Sequence, residues 1–138
     1  MAQEQVHLQK AALFWQLAER KFEAHATPFL CVNLAMYTVG HLIEALLARQ
    51  SRHPASQPKG VPHGDRDAML RKLLVPQKIV AEEWANCYSE LVGRRDTFIE
   101  GGIPQRSAVT EFMSLAAPMV TYLYARLSST EGVRHGNC

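Results

Sequence analysis

"PFLCVNLAMYTVGHLIEALLARQ", residues 28–50, decides the fold. Apolar side chains fall on nearly every side of it at helical spacing, and a helix of that kind forms the buried centre of a helical protein. From Ala26 to Ile43 there is no Asp, Glu, Lys or Arg, a run close to the ~18-residue threshold of a membrane-spanning helix. Thr27, Pro28, Asn33, Tyr37, Thr38 and His41 within that run favour a core helix over a span, so no membrane association is expected. The polar residues are not scattered. At about 100° per residue, Asn33, Tyr37, His41 and Glu44 share an arc of about 80°, a polar stripe on a core helix.

Four more helical segments flank this one. The first runs from about Gln5 to Ala24, with Val6, Leu13, Phe14, Leu17, Ala18 and Phe22 as its apolar face. Pro28 disfavours helix at Thr27 and suits the first turn of the central helix. Beyond the central helix, "SRHPASQPKGVPHG" (51–64) reads as a long loop. A short helix follows from about Asp65, a plausible N-cap, to Leu74. Pro76 is expected to open the fourth helix, which extends to about Glu100 with Val80, Trp84, Cys87, Tyr88, Leu91 and Phe98 as its stripe. "EGGIP" stops it and starts the fifth, about Pro104 to Leu127, in which Pro118 imposes a kink. The fold class is therefore all-α, an antiparallel up-and-down bundle of four long helices and one short. It forms a single domain with its core at about 5–128 and a frayed tail at 129–138.

Length and composition agree. The 138 residues suit one domain with a real core, and a formal charge of +2 excludes a strongly basic nucleic-acid-binding footprint. Cysteines at 31, 87 and 138 show no metal-ligand spacing, and their odd count suits reduced thiols. The first residues, "MAQEQVHLQK", lack the order of a signal peptide, so a cytoplasmic location is expected.

The candidate chemistry lies in "LVGRRDTFIEGG" (91–102), where Arg95 falls within about 60° of an apolar stripe axis. A guanidinium on an inner face needs a carboxylate or an open polar groove. Asp96 is adjacent in sequence, but successive helical residues do not face one another, so Glu44 is the expected partner. The functional reading is a binding groove between the second and fourth helices, built from Asn33, Tyr37, His41, Glu44, Arg94 and Arg95. The alternative is that Arg95 reaches solvent at the helix end while the stripe satisfies itself. His41 and Glu44, three apart, present two potential metal ligands on one face. A second ligand pair would be needed and no other helix is expected to supply one, since His25, His53 and His63 all lie near loops. No metal or other cofactor is expected.

With these residues in place, the layout resembles the HEPN superfamily of small helical bundles. "NLAMYTVGHLIEALLAR" (33–49) resembles that family's second helix, "PHGDRDAMLRKLL" (62–74) the short helix after the loop, and "YSELVGRRDTF" (88–98) the late helix carrying Arg followed by a polar residue. The resemblance covers most of residues 10–127. It implies a homodimer and either an RNA or nucleotide ligand or a companion nucleotidyltransferase. Active members are metal-independent, toxin-type ribonucleases of toxin–antitoxin systems with an Arg-x(4–6)-His motif in the late helix. Arg95 and Asp96 match its start, and His41 would be the surrogate base if the enzyme were active. At the histidine's place stand Glu100, Gly101 and Gly102. Without the imidazole the resemblance implies a non-catalytic bundle. The string Arg20-Lys-Phe-Glu-Ala-His25 has the right spacing but lies in the first helix.

Overall fold

The computed structural model describes residues 3–24, 28–49, 63–101 and 105–136; among them the chain is all-helical, without a strand. The α-helices are α1 (Gln3–Glu23), α2 (Pro28–Ala48), α3 (His63–Met69), α4 (Glu82–Gly101) and α5 (Arg106–Gly136), with a π-helical turn, Leu70–Leu74, continuing α3. Four long helices and one short one match the periodicity. Most of the expected 51–64 loop, together with His25 and Cys138, lies outside the described residues.

The central helix is α2: 14 of its 21 residues are buried. It is long and apolar enough to cross a membrane, but α1, α3, α4 and α5 all pack against it. Its one solvent-reaching line is the polar stripe, where Tyr37 is exposed and Asn33 and His41 are half-buried. Met36, Leu42, Ile43, Leu46 and Leu47 of α2 and Phe112, Met119 and Leu123 of α5 are all buried in one core, along which the two helices pack. Each such side chain contributes about 1.5–3 kcal/mol.

Helix α1 runs antiparallel to α2, as the pairs Glu4–Arg49, His7–His41 and Phe14–Tyr37 show. Its buried line is His7, Ala11 and Ala18 with half-buried Phe14 between them, and Leu13, expected inside, is 54% exposed. The backbone of α1 comes close to α2, and α5 reaches it through side chains, the Arg106 guanidinium standing 3.9 Å over the Phe22 ring, which leaves Leu13 facing solvent. The alanines at 11 and 18 let the two backbones approach closely.

The segment from α3 to α4 departs most from the simple periodic reading. Helix α3 begins at His63, two residues before the expected cap at Asp65. It then widens: the Val75 amide donates to the Leu70 carbonyl at 3.0 Å, five residues back. In this wider turn Leu70 and Leu74 both sit wholly buried on one face. Pro76 does not open α4. The chain instead turns through Lys78, whose φ of 60° is left-handed, and α4 starts at Glu82. Helix α5 fastens this turn, as Arg126 donates to the Ile79 carbonyl at 2.7 Å and the Tyr122 hydroxyl accepts from the Ala81 amide at 2.8 Å. The Tyr122 ring also stacks on Trp84, 4.6 Å between centroids. Helix α5 stays helical on both sides of Pro118 and continues to Gly136, past the expected end at Leu127.

Candidate functional site

The polar stripe of α2 leads to a wholly internal carboxylate. Glu44 is 1% exposed, and its Oε2 accepts a hydrogen bond from Arg66 Nη2 at 2.9 Å. Arg66, on α3, is itself buried. Its guanidinium lies flat against the backbone of Gly40: a Cβ there would stand 2.7 Å from Nη1, so the glycine is what admits the arginine. Glu44 therefore pairs with Arg66 and not with Arg95, a correction to the expected groove. Once α3 docks on α2, the Arg66 side chain reaches a carboxylate 22 positions earlier in the chain.

Two histidines complete the cluster. His7 Nδ1 and His41 Nδ1 are 2.9 Å apart, a distance that requires one ring to donate N–H and the other to accept. Both nitrogens also face Glu44 Oε2, at 3.6 Å for His7 and 3.4 Å for His41. Burial pushes the His41 pKa down to about 4; the Glu44 carboxylate opposes that shift, and His7, Arg66 and Lys10 reinforce it. His41 is consequently a neutral imidazole at neutral pH. The rings continue outward as a ladder, His7 on His41 at 5.2 Å, His41 on Phe14 at 5.6 Å, and Phe14 on Tyr37 at 5.5 Å, ending at the exposed tyrosine.

The other half of the expected groove is held separately. Arg95 Nη2 donates to Asp96 Oδ1 at 3.1 Å, a correction to the expectation that adjacent helical residues do not meet. Long flexible side chains can bend along the helix surface where two short ones cannot. Arg94 pairs with Glu90 at 3.0 Å and with Glu111 of α5 at 3.3 Å. A link between the halves does exist. The wholly buried Tyr88 hydroxyl feels both Arg66 and Arg95, whose charges pull its pKa down against the larger upward push of burial. Arg66 lies close to that hydroxyl without the geometry of a full hydrogen bond.

Of the predicted residues, then, His41 and Glu44 meet directly, Tyr37 joins them through the ring ladder, and Asn33 shares their stripe. Arg94, Arg95 and Asp96 stand apart on α4. His41, the surrogate base, is turned to Glu44, and Arg95 is not among the groups acting on its charge. Near the arginines, α4 carries Glu90, Asp96 and Glu100 against Arg94 and Arg95. The open surface between α4 and α5 is lined by Glu90, Arg94, Thr97, Phe98 and Glu111, so two carboxylates occupy the one guanidinium. An arginine held in this way is poorly placed to take a phosphate.

Sequence reasoning missed His7, Arg66 and Gly40. For His7 a signal existed, because His7, Ala11, Phe14 and Ala18 recur at helical spacing. No other helix was expected to supply a second pair of metal ligands beside His41 and Glu44; α1 supplies one, His7, and donor atoms of His7, His41 and Glu44 all lie within 4.8 Å of one another. No protein-family model, curated protein or solved structure matches this chain.

Proposed function

We propose that the chain is a non-catalytic, HEPN-like helical bundle, an antiparallel up-and-down arrangement of its four long helices, that pairs with a second copy of itself and acts as a protein-binding module. The observation that carries this reading is where large apolar side chains meet water. Of the four exposed among the described residues, Leu13, Leu30 and Tyr37 belong to the α1–α2 pair, at 54%, 40% and 42% exposure. The same pair ends in α1, whose backbone comes close to α2 among the described helices and which α5 reaches through side chains such as Arg106 over Phe22. Leu30 and Tyr37 are seven residues apart and so lie on one line of α2. A self-complementary contact across such a face buries it on both copies at once.

The pairing of both α4 arginines with carboxylates favours a protein partner over RNA or a nucleotide. A companion nucleotidyltransferase is the protein that the resemblance suggests. The pairing of Arg95 with Asp96 and the inward turn of His41 support the absence of ribonuclease chemistry.

Sedimentation velocity on the full chain at tens of micromolar tests the reading. A dimer is expected for the wild type, and a folded monomer for Leu13→Glu combined with Tyr37→Glu. A wild-type monomer would sink the self-association. Cleavage of mixed RNA in EDTA, abolished by Arg95→Ala, would overturn the non-catalytic reading.

A further inference from the structure

We propose that His7, His41 and Glu44 form a binding site for one divalent transition-metal ion of the zinc class, in competition with the guanidinium of Arg66. Two imidazole nitrogens and one carboxylate oxygen are a donor set that suits zinc and its neighbours. Their spacing carries the inference further than their identity. The three atoms form a triangle with edges of 2.9, 3.4 and 3.6 Å. A tetrahedron with metal–ligand bonds of about 2.0–2.1 Å has edges of about 3.3–3.4 Å. A point about 2.0–2.1 Å from all three donors exists roughly 0.7 Å above their plane, where a tetrahedron's centre stands above its face.

The site is also stiff. His41 and Glu44 are fixed three residues apart on α2, and His7 is held opposite them because the Glu4–Arg49 pair closes that end of the α1–α2 hairpin, with bonds of 2.7 and 3.3 Å. His41, at 16% side-chain exposure against 6% for His7 and 2% for Glu44, gives the site its solvent side. Two ring nitrogens at 2.9 Å hold either one proton between them or one metal ion above them. When the ion binds, that proton shifts to Nε2 of its own ring, and both Nδ1 lone pairs become ligands.

Arg66 makes the site conditional. Its guanidinium stands on the oxygen the metal would use, 2.9 Å from Oε2. A dication and a guanidinium on one buried carboxylate repel strongly, so metal entry requires Arg66 to withdraw. Two substitutions should loosen it without touching a ligand. Arg66→Gln removes the charge, and Gly40→Ala places a methyl group where Nη1 now lies.

The test is titration of the EDTA-stripped full chain with Co²⁺, followed in the visible spectrum. One Co²⁺ per chain is expected, with the intense bands of a tetrahedral site and no thiolate charge-transfer band. Arg66→Gln and Gly40→Ala should bind about tenfold more tightly or better, a gain that misfolding cannot imitate. His7→Ala and His41→Ala, checked for helicity by circular dichroism, should lose the tetrahedral spectrum. The proposal is overturned if neither the wild type nor Arg66→Gln binds saturably. Binding that persists in both histidine variants overturns it equally.

Discussion

Replacing Arg66 with methionine would put the buried ion pair to a quantitative test. The substitution keeps most of the side chain's length and apolar stem, so packing against Gly40 is largely preserved. It removes the cation from a carboxylate that is 1% exposed. Breaking one side of a buried pair costs about 3–5 kcal/mol, because the remaining charge has lost its counter-ion. Against a total stability of about 5–15 kcal/mol for a domain, that is a large share. With a melting shift of roughly 3–5 °C per kcal/mol at this chain length, Tm should fall by about 10–20 °C. The assay is thermal and urea unfolding by circular dichroism, with Glu44→Leu and the double variant completing a mutant cycle. The double variant should recover much of the loss, since paired apolar groups replace an ion pair at little net cost. An Arg66→Met chain within about 1 kcal/mol of the wild type, or costs that simply add in the double variant, would refute the argument.

The His41 imidazole, which burial pushes down to about 4 with help from His7, Arg66 and Lys10 and against the pull of Glu44, should make stability depend on pH. Its folded pKa lies below the ordinary value near 6.5, so the unfolded chain binds more protons between the two. Stability from this group is then present above about pH 6.5 and lost as pH falls towards about 4, by on the order of 2 kcal/mol after solvent screening. Urea midpoints across that range should show the fall, and His41→Phe should flatten it; an equal slope in the variant would contradict the assignment. Arg95→Ala should cost about 1–2 kcal/mol in the same assay, up to about 0.5 kcal/mol for the pair with an exposed aspartate and the rest for the stem of a side chain that is only 17% exposed. A larger loss would mean that the link through Tyr88 is structural.

How much of this was legible depended on the distance over which each feature is specified. The core role of α2 could be read from residues 28–50 because burial on every side leaves its mark in every residue. The stripe of Asn33, Tyr37, His41 and Glu44 was also legible, and it marks the one line on which α2 leaves the core. Its partner was not. Nothing local to the short helix marks Arg66 as that partner, since only the docking of α3 brings it to Glu44. The close approach at Gly40 is set by the same docking. The π-helical turn at Leu70–Leu74 escaped because a period of 3.6 has no place for it, and the proline rule then misplaced the start of α4 at Pro76. Leu13 fits the apolar period of α1, and only the placement of the neighbouring helices shows that it faces water.

The close pairing of α1 with α2 has a consequence for how the molecule opens. Tied by Glu4–Arg49 at one end and by the rings from His7 to Tyr37 along its length, the hairpin is a single cooperative unit. Amides of α1 and α2 should therefore exchange with deuterium by a shared route, and the charged interior around Glu44 would meet water only when the two helices part.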